Sequence, residues 1–214
     1  MTTLSREVPI DPVHVALLIV DVQNYCAHPD GTGSHNLDAQ RRHYLFGSLR
    51  KTVIPNLQLL QSACRRAHIE IVYAAVENMT RDDRDRSLDY KISGINVPRG
   101  SWDARVLEEI APAEDEMVFR KTSSSVFIST NIDYVLRNLG VRSLIVSRMM
   151  TDQCVESAVR DACDLGYLVT LVTDACTTDS AERHQQSLIG IRGYCRQRTT
   201  NELLAEVAAL IGSR

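Results

Sequence analysis

Residues 143–163 read SLIVSRMMTDQCVESAVRDAC, and this stretch predicts a buried strand followed directly by a helix. The apolar run 144–146 has the length and branched content typical of a buried strand. Thr151 and Asp152 are residue types that begin helices, because their side-chain oxygens accept the free amides of a first turn. Apolar residues then recur along one helical face, at positions 155, 158, 159, 162 and 163.

Cys154 falls in the first helical turn, just beyond the carboxyl end of the predicted strand. Free amides and the positive end of the helix dipole favour a thiolate over a thiol at this position. Ligands of open α/β sheets also bind at this edge. We therefore predict a reactive cysteine, although a buried structural thiol is the alternative. The chain has six cysteines without any Cys-x-x-Cys spacing, and we expect them to be reduced.

The rest of the chain repeats the alternation of strand and helix, which favours an α/β protein with a parallel sheet and helices on both faces. Further strands are predicted at 15–20, 69–75, 117–119 and 167–172, the last ending at Asp174. Helical periodicity is found at 38–68, 131–139, 181–195 and 200–211. With 214 residues, of which 44% are hydrophobic, the chain is expected to form a single domain over residues 1–214.

Charge and hydropathy narrow the class of protein. The formal net charge is −3, which provides no basic surface for nucleic acid or anionic membranes. No apolar run approaches the roughly 18 residues that span a bilayer, and the first residues lack the apolar core of a signal peptide. We expect a cytoplasmic protein that acts on a small molecule.

Two further ionisable residues follow predicted strands. Asp21 ends the apolar run 15–20 and is a candidate for proton transfer, although an aspartate here can simply cap a turn. Lys121 follows the strand at 117–119, where a lysine is usually a surface residue. The segment 77–104 is long, polar and without clear periodicity, and a loop of this length is often functional or disordered.

Three motifs in this order resemble the isochorismatase-like cysteine hydrolases, a family that includes nicotinamidases, N-carbamoylsarcosine amidohydrolase and ureidoacrylate amidohydrolase. The motifs are LIVDVQ at 18–23, FRKTSSSVF at 119–127 and MTDQCV at 150–155. The resemblance covers about residues 14–212. It implies a three-layer α/β/α fold with a mostly parallel Rossmann-like sheet, and hydrolysis of a small linear amide, carbamoyl or ureido compound.

The resemblance also implies an Asp21-Lys121-Cys154 triad. Cys154 would attack the carbonyl carbon and form a thioester, Asp21 would move the proton, and Lys121 would hold the carboxylate. A cis peptide between Met149 and Met150 is expected, with the amides of Met150 and Cys154 stabilising the oxyanion. No cofactor is expected, and relatives suggest a homo-oligomer, a dimer or tetramer.

The sequence departs from family patterns in ways that affect the substrate. Residues 77–81 read ENMTR, without the Asp-x-His that binds metal in nicotinamidases, so we expect no metal; His28 and His35 lack a second pair of ligands. Arg148 stands where relatives often have glycine. A vinyl-ether hydrolase that uses Asp21 alone and a silent binding homologue remain alternatives.

Substrate contacts are predicted only from position along the chain. Six residues flank the triad in sequence or lie on loops at the same sheet edge: Tyr25, His28, Trp102, Phe127, Thr151 and Gln153. One arginine among 81, 84 and 86 could clamp a substrate carboxylate, although the neighbouring aspartates favour a self-paired surface.

Overall fold

The sheet contains six strands in the computed structural model, which describes residues 4–212 without the side chains at 148 and 211. The strands are β1 Val15–Val20, β2 Glu70–Val76, β3 Met117–Lys121, β4 Ser143–Met149, β5 Leu168–Thr177 and β6 Arg196–Arg198. Their order is β3-β2-β1-β4-β5-β6, and each neighbouring pair is parallel. The predicted α/β fold with a parallel sheet is confirmed.

Helices cover both faces of this sheet. They are α1 Asn24–Ala27, α2 Ala39–Ser48, α3 Ile54–Arg66, α4 Leu88–Ile92, α5 Val126–Ser129, α6 Ile132–Asn138, α7 Glu156–Asp164, α8 Ala181–Ile191 and α9 Thr200–Gly212. A π-helical turn, Leu49–Val53, joins α2 to α3, and another, Thr151–Val155, leads into α7.

The core is divided in two by the sheet, because successive side chains of a strand point to opposite faces. Leu17 and Ile19 of β1 belong to a cluster with Leu57 of α3 and Leu203 of α9. Leu18 belongs to a second cluster, on the other face, that includes Val159 of α7, Leu188 of α8 and Leu136 of α6. The three layers of the predicted architecture follow directly from this alternation.

Several boundaries differ from the sequence-based expectations; strand β3, for example, extends through Lys121, which was expected to follow it. Strand β5 continues to Thr177, beyond Asp174, after the β4–β5 register shifts between Val146 and Arg148. The helix predicted to reach Cys195 ends at Ile191, and the short strand β6 follows. The segment 77–104, which has no helical periodicity, nevertheless contains α4.

Within residues 4–212, no helix has both the length and the apolar content needed to cross a bilayer.

Candidate active site

The carboxyl ends of three strands bring the predicted triad to one edge of the sheet. Val20 at the end of β1 pairs with Ala74 of β2 and Arg148 of β4, and Val76 at the end of β2 pairs with Lys121 of β3. The strand order reverses between β1 and β4, and ligands of such sheets bind at this switch point. Asp21, Lys121 and Cys154 therefore surround one location.

Asp21 is held by its backbone in an unusual conformation. Its φ of 55° lies in the left-handed region, which aspartate tolerates better than most residues. Its amide donates to the carbonyl of Ala74 at 2.8 Å, and its carbonyl accepts a hydrogen bond from the Cys26 thiol at 3.0 Å. The chain leaves the sheet at this turn, and only 4% of the surface of Asp21 is exposed to solvent.

Lys121 is fully buried and lies at the centre of the site. Its Nζ is 3.0 Å from Asp21 Oδ2 and donates to Tyr90 Oη and to the Ser123 carbonyl, both at 3.0 Å. The Ser124 carbonyl is slightly farther, at 3.3 Å. A lysine surrounded by oxygen acceptors is stabilised as an ammonium, since a carboxylate and carbonyl dipoles favour the charged form.

Cys154 lies in the π-helical turn that precedes α7, with 7% of its surface exposed. Its Sγ is 3.8 Å from Lys121 Nζ and 4.0 Å from Tyr90 Oη. The expected cis peptide between Met149 and Met150 is present. The Arg148 side chain, which prompted the comparison with glycine, lies outside the described part of the chain.

Tyr90 is a residue of the site that the sequence did not predict. It lies on α4, only 1% exposed, and packs in a small cluster with Val76, Val97 and Ala104. The Ser87 hydroxyl accepts a hydrogen bond from the amide of Tyr90 at 3.2 Å and thereby caps the helix. The amide of Ser87 donates to the Thr122 carbonyl at 2.9 Å, beside Lys121.

Tyr25 lies on α1 and His28 follows that helix directly, just beyond the end of β1, whereas Trp102 lies on the segment 77–104. Tyr25 is partly buried against the cluster that contains Tyr90, and burial raises the pKa of its phenol to about 12. His28 meets Trp102 edge to face, with ring centroids 4.9 Å apart, and Trp102 is 43% exposed. Tyr25 packs against the cluster that contains Tyr90, whose hydroxyl accepts a hydrogen bond from Lys121.

The other three residues predicted to contact the substrate, Phe127, Thr151 and Gln153, have different surroundings. Phe127 packs against the core cluster beneath α7 and lies 6.0 Å from the ring of Tyr167. Thr151 is buried and its hydroxyl is 2.9 Å from His184 Nδ1. Gln153 is exposed next to Cys154. A core position for Phe127 explains its apolar character without a substrate.

The arginine-rich segment is largely paired with itself. Arg84 contacts Asp82 at 2.8 Å on the surface, and Arg86 contacts Asp83 at 3.1 Å and donates to the Ile95 carbonyl. Among the residues that the structure describes, no group of three His, Cys, Asp or Glu side chains is placed to hold a metal ion.

A cavity of about 410 Å³ opens beside the Cys154 turn. Its wall includes Asp89, Ser124 and Gln153, which neighbour Tyr90, Ser123 and Cys154 in sequence. A second cavity, of about 450 Å³, is lined by residues that include His28 and Phe46. The first cavity lies beside the turn that carries Cys154, because Gln153 and Asp152 of that turn form part of its wall.

Solved structures from several bacteria and an archaeon share this fold. A cysteine hydrolase from Pseudomonas syringae pv. phaseolicola 1448A is 24% identical, with a TM-score of 0.82 over 98% of this chain and 99% of that chain. An isochorismatase family protein from Desulfovibrio vulgaris is 24% identical, with a TM-score of 0.75 and coverage of 91% and 98%. N-carbamoylsarcosine amidase from Thermoplasma acidophilum is 23% identical, with a TM-score of 0.68 and coverage of 87% and 96%.

The family itself is identified from the sequence. The model of the isochorismatase domain matches residues 15–202, which include all three motifs and nearly the whole chain. The chain belongs to the isochorismatase-like hydrolase family.

Proposed function

We propose that this protein is a cysteine-dependent amidohydrolase that cleaves a C–N bond of a small linear amide, carbamoyl or ureido compound. The proposal is carried by the position of Lys121 Nζ, 3.0 Å from Asp21 Oδ2 and 3.8 Å from Cys154 Sγ. An ammonium between a carboxylate and a thiol favours the ionised form of both. A nucleophile and its base thus share one buried cation.

Acylation begins when Asp21 accepts the thiol proton of Cys154. The thiolate attacks the carbonyl carbon, and a tetrahedral intermediate forms. The amides of Met150 and Cys154 are the donors that we assign to its oxyanion. Asp21 then delivers the proton to the leaving nitrogen, the C–N bond breaks, and a thioester to Cys154 remains.

Deacylation uses the same groups in reverse. Water attacks the thioester while Asp21 accepts its proton, the C–S bond breaks, and the thiol of Cys154 is regenerated. Lys121 stays protonated throughout, because its role is to hold the carboxylate and to balance charge. The acid product leaves together with ammonia or an amine.

The size and polarity of the surroundings support a small substrate. Cys154 is only 7% exposed, so an extended polymer would not reach its sulfur. The cavity of about 410 Å³ beside the Cys154 turn is lined by polar residues that include Asp152, Glu156 and Arg160. The similarity to an N-carbamoylsarcosine amidase supports C–N bond cleavage.

The test is a screen for ammonia release, followed by substitution of the nucleophile. N-carbamoyl amino acids, ureidoacrylate, biuret and nicotinamide are the probes. With the best of them, Cys154→Ala should lower kcat on the order of a thousandfold or more, because the thioester route is lost. Cys163→Ala, in the same helical region, is the matched control and should retain activity.

Each other outcome of these measurements would indicate a different function. Full activity in Cys154→Ala would remove the thioester mechanism, and loss of that activity in Asp21→Asn would then indicate amide hydrolysis by Asp21 without the cysteine. Turnover of a vinyl ether such as isochorismate, read by pyruvate release and lost only in Asp21→Asn, would indicate the vinyl-ether hydrolase. No turnover of any probe, together with slow alkylation of Cys154 at neutral pH, would indicate a silent binding homologue.

A further inference from the structure

Tyr90 is a buried polar residue at the site that the triad mechanism does not use. We propose that Tyr90 is a positioning residue, which donates its phenolic hydrogen to the Cys154 thiolate while its oxygen accepts a hydrogen bond from Lys121. This inference rests on the proposed cysteine chemistry and adds a fourth residue to it. The residue comes from α4, outside the three family motifs.

Lys121 divides its three hydrogens among several acceptors. Three oxygen atoms lie 3.0 Å from its Nζ: Asp21 Oδ2, Tyr90 Oη and the Ser123 carbonyl. The same Nζ donates to Cys154 Sγ at the longer distance of 3.8 Å. Lys121 therefore gives the thiolate its positive charge and a shared hydrogen, and a second donor would stabilise the thiolate further.

Tyr90 can provide that donor. Its Oη accepts from Lys121, so the phenolic hydrogen is directed away from the ammonium. Cys154 Sγ lies 4.0 Å from the same oxygen, within the range for a hydrogen bond to sulfur. The phenol thus relays polarisation from the ammonium to the thiolate, and such chains strengthen each bond.

The phenol is held in place by packing and by the backbone. Tyr90 is 1% exposed among Val76, Val97 and Ala104, which restricts its ring. The Ser87 cap fixes the start of α4, and the Ser87 amide connects it to the strand end that carries Lys121. A donor fixed in this way is pre-organised, so little entropy is lost when the thiolate forms.

The other charged groups near the Cys154 turn stay constant in the test. Asp21 and Lys121 belong to the triad itself and are unchanged in the variants compared. Besides Cys154, the ionisable residues on α7, on α8 and within the turn itself are Asp152, Glu156, Arg160, Asp161, Cys163, Asp164, Glu182, Arg183 and His184. Asp152 pairs with Arg183, and Glu156 lies 3.8 Å from Arg160, while burial lowers the pKa of His184. None of these contacts involves the Tyr90 hydroxyl.

The experiment is the pH dependence of iodoacetamide alkylation at Cys154, read by peptide mass in the unsubstituted protein and in Tyr90→Phe. Burial raises the pKa of Cys64 to about 12 and that of Cys195 to about 11, so those thiols react outside the range of interest. We expect Tyr90→Phe to move the alkylation midpoint of Cys154 upward by about one pH unit, since a hydrogen bond to a charged group is lost. The kcat for the best substrate should fall about tenfold.

Tyr73→Phe is the matched control. Tyr73 is also 1% exposed, and its hydroxyl bonds to Gln61 and Glu116 at the far side of β2. This substitution also removes a buried hydroxyl but should leave the Cys154 midpoint unchanged. Equal midpoints in Tyr90→Phe and the unsubstituted protein would overturn the inference and leave the amidohydrolase proposal intact.

Slow alkylation of Cys154 in the unsubstituted protein would overturn the inference, because there would be no thiolate to hold; together with no turnover of any probe it would also overturn the amidohydrolase proposal. Thermal unfolding verifies that Tyr90→Phe is folded. Should it not fold, the same titration on protein labelled with 3-fluorotyrosine replaces it. A more acidic phenol is a stronger donor, so the midpoint should then move downward, and an unmoved midpoint would again contradict the role of Tyr90.

Discussion

The candidate site has two halves that are built in different ways. Asp21, Lys121 and Cys154 are placed by the sheet, because the register of β1 with β2 and β4 fixes where the strands end. Tyr90 is placed by the segment 77–104, through a five-residue helix and a few individual hydrogen bonds. The sheet half depends on the whole core, whereas the segment half depends on local contacts.

This difference indicates how each half should respond to substitution. A substitution in the sheet half leaves a buried charge without its partner, so both the free energy of unfolding and the activity should fall. Damage to the segment half should leave the fold nearly intact and change the properties of the thiol. Rigid elements are expected to carry the reacting groups, and segments to adjust them.

Lys121→Met should have the largest effect on stability. It leaves the buried carboxylate of Asp21 without its cation, which costs about 3–5 kcal/mol in the free energy of unfolding. Arg84→Met is the matched control, because Arg84 and Asp82 are 72% and 60% exposed; it should cost less than about 1 kcal/mol. Urea denaturation measures both.

The double variant Lys121→Met with Asp21→Asn sharpens this result. Neither charge is then left buried, so much of the lost stability should return, while activity should not. A double variant no more stable than Lys121→Met would contradict the view that the isolated carboxylate causes the loss.

Ser87→Ala should have a smaller effect, confined to the segment half. Loss of this cap costs about 1 kcal/mol and loosens the start of α4. Asp38→Ala removes the cap of α2, which accepts the amide of Arg41 at 2.9 Å, and should cost a similar amount. Only Ser87→Ala should raise the alkylation midpoint of Cys154; a shift of the same size in Asp38→Ala would show a general loosening instead.

Asp85 should give the smallest effect, visible only in acid. Burial acts to raise its pKa, but hydrogen bonds from the Thr80 hydroxyl and from the amides of Met79 and Thr80 lower that pKa from 3.8 to about 2. A carboxyl with a lowered folded-state pKa stabilises the fold above pH 4 and loses this contribution as the pH falls toward 2.

The check is the melting temperature of the unsubstituted protein and Asp85→Asn between pH 5 and 2. We expect Asp85→Asn to be less stable at pH 5 and to converge with the unsubstituted protein toward pH 2. Asp115 is exposed, and Asp115→Asn is the control. Its melting temperature should change with pH in parallel with that of the unsubstituted protein. If the melting temperature of Asp85→Asn also differed from that of the unsubstituted protein by a constant amount across this pH range, the stabilising role of the Asp85 carboxylate would be contradicted.

The sheet half could be predicted from sequence because its signals are strong. The runs at 15–20 and 144–146 are continuous and apolar, as expected for strands buried on both faces. Parallel strands end at one edge, so residues that follow them converge even when they are a hundred positions apart. Asp21, Lys121 and Cys154 were found in this way, together with the family motifs.

The segment half escaped prediction because α4 reverses the usual pattern. Leu88 and Ile92 are 74% and 76% exposed, while Tyr90 between them is buried. A search for an apolar stripe therefore finds nothing at Tyr90. The cap residue Ser87 followed by Asp89 in the first turn was the available signal.

Strand β6 escaped for a related reason, because its residues are polar. Arg196 is buried but pairs with Glu206 at 3.1 Å and donates to Thr170 at 3.1 Å. Charge pairing satisfies this strand at the sheet edge, where an apolar alternation would normally reveal it. Substrate contacts were the least predictable, since position along the chain does not say where a side chain points.

The left-handed backbone of Asp21 has a practical consequence for anyone who wants a substrate-trapping form of the protein. Asparagine adopts this conformation readily and keeps the side-chain shape, whereas valine or isoleucine would strain the turn. In a saturation library at this codon, asparagine and glycine should avoid backbone strain, so that their loss of stability comes only from the Lys121 ammonium left without its carboxylate. Crystallographers seeking a bound ligand should begin with asparagine.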